Sequence, residues 1–305
     1  MSYYQGEKTM TRVQFDILEM MVSKECKLSV EELCNSLKHD RDVIKRAYDS
    51  LESSGNIIDG CITDLGKKAL EPYACKRAVF LAAGFGSRMI PITINTPKPL
   101  VRVHGVRIID RLIDSCLKAG INEIIIIRGY LAELFDQLKN KYPNIRFIDN
   151  PTYDEANNIG STFLARHLLS NTYVIESDLL VSNSQIIKKY HYSSDFLAIK
   201  KQYTDDWCFK VEDGLIQEEM NGGKGDDIWQ MVGISYWNES DGKRLSQDIE
   251  TVYATSEGKN YYWEQVPLVY CKDHYRVEVL PCRQEDVVEI DTFEELKEID
   301  NTYAV

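Results

Sequence analysis

The sequence is short of the features that commit a chain to a disulfide scaffold, a membrane or a polyanion. Its eight cysteines (Cys26, Cys34, Cys61, Cys75, Cys116, Cys208, Cys271 and Cys282) include no CxxC pair and no zinc-ligand spacing. Scattered through a chain of medium length, they read as reduced, buried thiols of a cytoplasmic protein. No apolar run approaches the ~18 residues that a membrane span needs. The opening MSYYQGEKTM lacks the apolar core of a signal peptide. Positive charge is in deficit, with a formal net charge of −12. That balance argues against broad nucleic-acid binding and against an anionic membrane surface. It leaves room for an anionic substrate, because a local cation cluster and a bound metal override the global field. Internal repeats and low-complexity segments are absent from the sequence.

What is present is an ordinary globular composition, 44% hydrophobic and 28% charged, over 305 residues, a length that suggests two domains. Residues 1–75 read as the first. Apolar residues recur at helical spacing over residues 11–25. Ser29 and Glu32 form a capping-box pair before a short helix. Asp40 can cap a third helix that Gly55 would end. Two short extended pieces around a turn follow, then a last helical turn at residues 67–70. This order resembles the winged-helix domains of bacterial regulators, with the third helix as recognition helix. The segment carries 10 Lys and Arg against 13 Asp and Glu, a net of −3, whereas a DNA-binding module is basic. Dimerisation, or docking onto the rest of the chain, is therefore the preferred role over DNA binding.

Residues 76–305 read as the second domain. Strands at 77–82, 123–127, 145–148 and 173–176 alternate with helices at 108–119, 132–141 and 161–169, which predicts a mainly parallel α/β sheet covered on both faces. Ligands of such sheets sit beyond the carboxyl ends of the strands. Two candidate stretches lie there, the glycine turn after residue 82 and Ser177-Asp178. Beyond residue 185 the chain is less regular and rich in aromatics. Strands are expected at 196–200, 232–237 and 276–281, an extended run ends at Glu289-Ile290-Asp291, and a closing helix spans 293–300.

The chemistry concentrates in AVFLAAGFGSRMIPITINTPKPL, residues 78–100. A buried strand runs into Gly84-Phe85-Gly86-Ser87-Arg88, and Lys98 follows between Pro97 and Pro99. Glycines let backbone N–H groups approach an anion, and fixed cations neutralise the remainder. Met89 stands where a dinucleotide fingerprint has its third glycine, and no Gly-Lys-Ser/Thr follows, so neither that fingerprint nor a Walker loop is present. The combined string Leu-Ala-Ala-Gly-x-Gly-Ser-Arg-Met, then Pro91-x-Thr93 and Thr96-Pro-Lys98-Pro-Leu100, resembles the signature of nucleotidyltransferases. Further pieces make the chain similar to the bacterial CTP:phosphocholine cytidylyltransferases within that superfamily. They are Asn157-Asn158-x-x-Ser161, Tyr173-Val-Ile-x-x-Asp178, Thr204-x-x-Trp207, Val232-Gly233-Ile-Ser-Tyr-Trp237, Tyr262-Trp263-Glu264 and Glu289-Ile-Asp291.

The resemblance implies a Rossmann-like core and an Mg²⁺-dependent transfer of CMP from CTP to phosphocholine, releasing pyrophosphate. Bringing an anionic acceptor to a triphosphate is mainly a matter of positioning and charge neutralisation. Lys98 would stabilise the α-phosphate, and Arg88 the β- and γ-phosphates. Asp178 and Asp291, at apparent strand ends, offer the hard oxygens that Mg²⁺ takes. Leu81, Ala82, Ala83, Gly84, Gly86 and Ser87 would hold the nucleotide, and Asn157, Asn158 and Ser161 the base. Trp207, Trp237, Tyr262 and Trp263 with Glu264 could cage a quaternary ammonium. Alternatives remain in the acceptor (phosphoethanolamine, 2-aminoethylphosphonate, a sugar or polyol phosphate), in a homodimer, and in a ligand-sensing transcriptional regulator.

Overall fold

A computed structural model describes residues 10–24 and 27–304. The ends of the expected first helix at Glu25 and the thiol of Cys26 lie outside the described residues. The chain divides into two compact units, one running to Ala74 and taking in Tyr190–Tyr192, the other made of Cys75–Lys189 and Ser193–Val305.

The first unit packs α1 (Arg12–Lys24), α2 (Val30–Ser36) and α3 (Arg41–Ser53) with the hairpin β1 (Ile57–Ile58) and β2 (Cys61–Ile62), then α4 (Asp64–Leu70). This is the order of elements expected from the sequence. Ser29 and Glu32 form the reciprocal capping box on α2, and Asp40 accepts from the amides of Asp42 and Val43 at the start of α3. Ile17, Leu18, Leu33 and Ile44 are fully buried beneath the helices. Tyr192 joins this core from later in the chain, its ring 5.4 Å from Phe15 and 5.7 Å from Tyr73. On the exposed face of α3, Arg41, Lys45 and Arg46 alternate with Asp42 and Asp49, a mixed-sign surface rather than a phosphate-binding stripe.

The second unit begins with β3 (Arg77–Ala82), whose Ala78, Val79 and Phe80 are fully buried. Next come the short hairpin β4 (Arg102–Val103) and β5 (Val106–Arg107), α5 (Ile108–Lys118), β6 (Glu123–Arg128), β7 (Arg146–Asp149), α6 (Asn158–Ala165), β8 (Thr172–Glu176) and β9 (Leu179–Val181). The later half adds β10 (Asp195–Lys200), β11 (Tyr203–Glu212), β12 (Leu215–Lys224), β13 (Ile228–Trp237), α7 (Glu239–Tyr253), β14 (Glu278–Cys282), β15 (Val287–Glu289) and α8 (Phe293–Ile299). Among the described residues, nine strands form one sheet in the order β10-β14-β12-β11-β13-β8-β3-β6-β7. Its β8-β3-β6-β7 side is parallel, as the alternation of strands and helices requires. From β13 outward the neighbours are mostly antiparallel, so the sheet is mixed.

The expected helix at 132–141 is a 3₁₀ segment, Ala132–Asn140, entered through Leu131 in the left-handed region at φ 47°. The β11–β12 hairpin and α7 were not expected. The hairpin turns on Asp213 (φ 49°) and Gly214 (φ 78°), the positive pair that a tight two-residue turn demands. Of the described cysteines only Cys75, Cys116 and Cys208 are buried, which corrects the reading of all of them as buried thiols.

Helix α7 lies so close to the chain after α6 that a Cβ on its Gly242 would sit 2.4 Å from the Leu169 carbonyl oxygen. Gly→Ala inside a helix ordinarily gains about 1 kcal/mol. Here the clash is with backbone that cannot rotate away, and overpacking of this kind costs about 1–3 kcal/mol. Gly242→Ala is therefore expected to lower the melting temperature despite the better helix former. A thermal melt with an unchanged or raised midpoint would contradict that packing.

Candidate active site

The loop after β3 is shaped around one lysine. Gly86 is left-handed (φ 68°), and a Cβ there would meet Lys98 Cβ and Thr93 Cγ2 at 3.2 Å each. Only glycine meets both conditions comfortably. Thr93 donates its hydroxyl to the Gly86 carbonyl at 2.8 Å, and Lys98–Leu100 forms a 3₁₀ turn after Pro97. Gly84 is exposed, with open space on its Cβ side. Among the described residues, no hydrogen bond engages the amides of Gly84, Phe85 or Gly86. Free amides on a glycine loop are what an anion cradle supplies. At the end of β3, Leu81 accepts a short hydrogen bond from the Ser177 hydroxyl, Ala82 and Ala83 are buried, and the Ala83 carbonyl accepts from Tyr130 N–H at 3.0 Å.

Lys98 is 8% exposed, and its Nζ lies 2.8 Å from Asp178 Oδ2 and 2.9 Å from Asp291 Oδ1. Burial alone would push this amine down; the carboxylates of Asp178 and Asp291 overcome it and hold the ammonium above its ordinary range. Burial would likewise raise Asp291, but Lys98 and then Arg88 bring it below the usual carboxylate range. Arg88 reaches the same oxygen, Asp291 Oδ1, at 2.9 Å from the exposed rim. Residues more than a hundred positions apart meet because β15 pairs with β9, the strand that follows Asp178, and Ile290 N–H donates to the Asp178 carbonyl at 3.2 Å. Glu295, in the capping box of α8, accepts from the Asp291 amide at 2.8 Å and fixes the approach of that residue.

Carboxylate oxygens of Asp178, Glu289 and Asp291 lie within 4.8 Å of one another. The buried Asp178 Oδ1 has no hydrogen-bond partner. An all-carboxylate donor set with an orphaned buried oxygen fits a hard divalent cation such as Mg²⁺. Glu289 was not singled out as a ligand from the sequence, although residues two apart on an extended run share a face with each other. Burial, then repulsion from Asp178 and Asp291, raises Glu289 to about 9.

The expected base-binding residues divide. Asn157 is spent as the N-cap of α6, accepting from the Asn158 amide at 2.7 Å. Ser161 accepts from Asn150 Nδ2 at 3.1 Å and is buried. Asn158 turns away toward a row of acids, its Nδ2 3.4 Å from both Glu176 Oε1 and Glu264 Oε2, while its Oδ1 accepts from the Trp263 amide at 2.8 Å.

That row was missed in the sequence except for Glu264. Glu176, on the last residue of β8, fits only because its neighbour on β13 is Gly233, where a Cβ would lie 2.3 Å from Glu176 Oε2. Burial, then the charge of Glu264, raises Glu176 well above the carboxylate range. Glu264 is pushed up to about 8 by burial and then by Glu219, and burial raises Glu219 to about 7. Both carboxyl oxygens of Glu219 are buried without a hydrogen-bond partner.

The aromatic residues divide as well. Trp207 stands edge-on to Tyr262 with centroids 5.6 Å apart, and both are partly exposed. Trp207 pairs across the hairpin with Asn221 and Phe209 with Glu219, so Trp207 and Glu219 share one face. Trp237, expected to wall the acceptor, lies instead within the core. Trp237 is fully buried against Phe196, Trp263 and Tyr275, and its indole N–H donates to Ser235 Oγ at 3.0 Å. Trp263, 3% exposed and stacked on Phe196 at 6.0 Å, belongs mainly to the same core.

Comparison with known proteins agrees with this architecture. The nucleotidyl transferase family model matches residues 77–215. The chain is 33% identical over 231 residues to the 2-aminoethylphosphonate cytidylyltransferase of Lancefieldella rimae, covering 74% of this chain and 93% of that protein. It is 32% identical over 228 residues to the choline-phosphate cytidylyltransferase of Streptococcus pneumoniae, covering 73% and 96%. A solved CTP:phosphocholine cytidylyltransferase from Streptococcus pneumoniae superposes with a TM-score of 0.68 at 29% identity, over 74% of this chain and 98% of that one. The inositol-1-phosphate CTP transferase of T. maritima, at 16% identity and a TM-score of 0.60, shares the fold. The chain belongs to the nucleotidyl transferase family.

Removing one preorganised charge-stabilising donor from a transfer site costs about 10²–10³ in kcat. Lys98→Met is expected to lose that much. Asp178→Ala and Asp291→Ala are expected to abolish Mg²⁺-dependent turnover, whereas Glu289→Gln should raise the Mg²⁺ needed for half-maximal rate. Near-normal rates and metal dependence in these variants, measured by pyrophosphate release, would contradict the assignment.

Proposed function

We propose that the protein transfers CMP from CTP to a small phosphate or phosphonate bearing a cationic amine, with phosphocholine as the first reading of the acceptor. The observation that carries the transfer is the meeting of Lys98 and Arg88 with Asp178 and Asp291 at the mouth of a glycine loop. An anionic oxygen of the acceptor attacks the α-phosphorus of CTP, a new P–O bond forms, the bond to the β-phosphate oxygen breaks, and pyrophosphate leaves. No general base is needed, because the attacking oxygen carries no proton that must be removed. Lys98 holds charge at the α-phosphate, and Arg88 at the leaving pyrophosphate. Asp178, Asp291 and Glu289 would hold Mg²⁺, which supplies Lewis-acid stabilisation of phosphate charge when bound. The amides of Gly84–Ser87 cradle the triphosphate, and the backbone of residues 81–83 receives the nucleoside.

The amine is read from the row that leads away from this centre. Glu176, Glu264 and Glu219 run toward Trp207 and Tyr262, giving both negative charge and aromatic faces. A quaternary ammonium is held by ring faces and offers no hydrogen bond. A primary ammonium offers three donors, and the partnerless oxygens of Glu219 favour it. 2-Aminoethylphosphonate is therefore a second reading, in keeping with the relative from Lancefieldella rimae.

Two variants separate the readings. With phosphocholine as acceptor, Trp207→Ala should raise its KM more than Glu219→Gln does. With 2-aminoethylphosphonate the order should reverse, and in both cases the KM for CTP should stay near its original value. A panel of the two compounds, phosphoethanolamine and a sugar phosphate, assayed for pyrophosphate release, decides the acceptor; preference for the sugar phosphate would reject the amine.

The acid row also predicts a pH dependence. Glu264 is mostly neutral below about 8, while binding an ammonium favours its ionised form, so acceptor binding releases a proton. Affinity should then rise with pH, by at most about tenfold per unit for one such group, and level off near that value. The slope of acceptor KM against pH from 6.5 to 8 should flatten in Glu264→Gln. An identical slope in the variant would place the titrating group elsewhere.

A further inference from the structure

Helix α7 and the turn after the π-helical segment Val266–Tyr270 bring three metal-ligating side chains together, using none of the residues of the transfer centre. Asp248 projects from α7, Cys271 ends the π-helical segment, and His274 closes the 3₁₀ turn Lys272–His274. A carboxylate oxygen of Asp248, the Sγ of Cys271 and a ring nitrogen of His274 lie within 4.8 Å of one another. His274 Nδ1 is 2.8 Å from Asp248 Oδ2, and Tyr275 donates its hydroxyl to that same oxygen at 2.6 Å. We propose that Asp248, Cys271 and His274 form a zinc-binding site that clamps α7 to the segment carrying residues 266–274.

The donor chemistry selects the metal class. One thiolate, one imidazole and one carboxylate suit the borderline-soft Zn²⁺, while Mg²⁺ prefers oxygen alone. Thiolate and carboxylate together neutralise the dication, so the occupied site carries no net charge. Binding replaces the Cys271 thiol proton by the metal, the proton leaves to solvent, and no electrons are exchanged. The turn is already tied: His274 N–H donates to the Cys271 carbonyl and Cys271 N–H to the Val266 carbonyl, each at 2.8 Å. Tyr275 fixes the carboxylate in the manner of the outer partners that orient metal ligands. Above Asp248 and His274 opens a groove of about 410 Å³, with room for a water as fourth ligand. The two cations on that groove are held by other acceptors, Lys243 by Glu239 at 2.6 Å and Arg244 by the His274 carbonyl at 3.3 Å.

The test uses the full chain, freed of metal with a chelator and dialysed into excess Mg²⁺ so that the carboxylate centre does not compete. Titration of Zn²⁺ against a chromogenic indicator should show one equivalent bound with a dissociation constant of about 1 µM or tighter, that is about −8 kcal/mol. Co²⁺ in place of Zn²⁺ should give thiolate-to-cobalt charge-transfer absorption in the near ultraviolet. Cys271→Ser should lose that band, and both Cys271→Ser and His274→Ala should weaken Zn²⁺ binding at least tenfold while keeping the circular dichroism of the parent. Parent-chain binding weaker than about 1 µM, or tight binding that survives in both variants, would overturn the proposal.

Discussion

The second unit depends on one contact, the ammonium of Lys98 held between Asp178 and Asp291. Three segments distant in sequence have to converge for it to exist. The loop after β3 delivers the lysine beneath Gly86, the turn after β8 delivers Asp178, and the β9–β15 pairing with the cap of α8 delivers Asp291. Buried ionic groups of this kind are costly unless partnered; Lys98 is paired with both carboxylates, while Asp178 Oδ1 is left without a hydrogen-bond partner. The same charges suit a triphosphate and a divalent cation. The parallel strands supply the carboxyl-end crevice in which this happens.

From that centre the acids continue toward the hairpin as Glu176, Glu264 and Glu219. Burial raises all three carboxyls, and a neighbouring carboxylate adds to the shift at Glu176 and Glu264. On the proposed reading, the reaction and the choice of acceptor draw on different parts of the second unit. The loop after β3 and the turn after β8 carry Lys98 and Asp178, and the antiparallel half carries Trp207, Glu219 and the core around Trp237.

Much of the parallel half was legible in the sequence, because β3, β6 and β8 are apolar runs bounded by turn residues and their spacing excludes other topologies. The loop from Gly84 to Lys98 was equally readable, since its glycines and prolines act through local backbone geometry. The antiparallel half was not. The strands β11 and β12 carry too many charged residues for an apolar pattern, although Asp213-Gly214 is a hairpin signal and could have placed them. Glu176 and Glu219 carry no local mark; only Gly233, which makes room for Glu176, hints at the first, and that requires the β8–β13 register. Trp237 read as a ligand wall because aromatic residues announce themselves by type, whereas burial is decided by neighbours such as Phe196 and Tyr275. Cys271 and His274 were passed over because their third partner, Asp248, lies on a helix more than twenty residues upstream.

In the proposed reaction the α-phosphorus of CTP moves intact to the acceptor. Phosphorus-31 NMR of the full chain with CTP, Mg²⁺ and either phosphocholine or 2-aminoethylphosphonate follows that atom directly. The α-phosphorus resonance of CTP should be replaced by one coupled to the acceptor's phosphorus through a new P–O–P linkage, with inorganic pyrophosphate formed in equal amount. CTP left intact with both acceptors, or converted to free CMP without a coupled product, would contradict the proposed reaction.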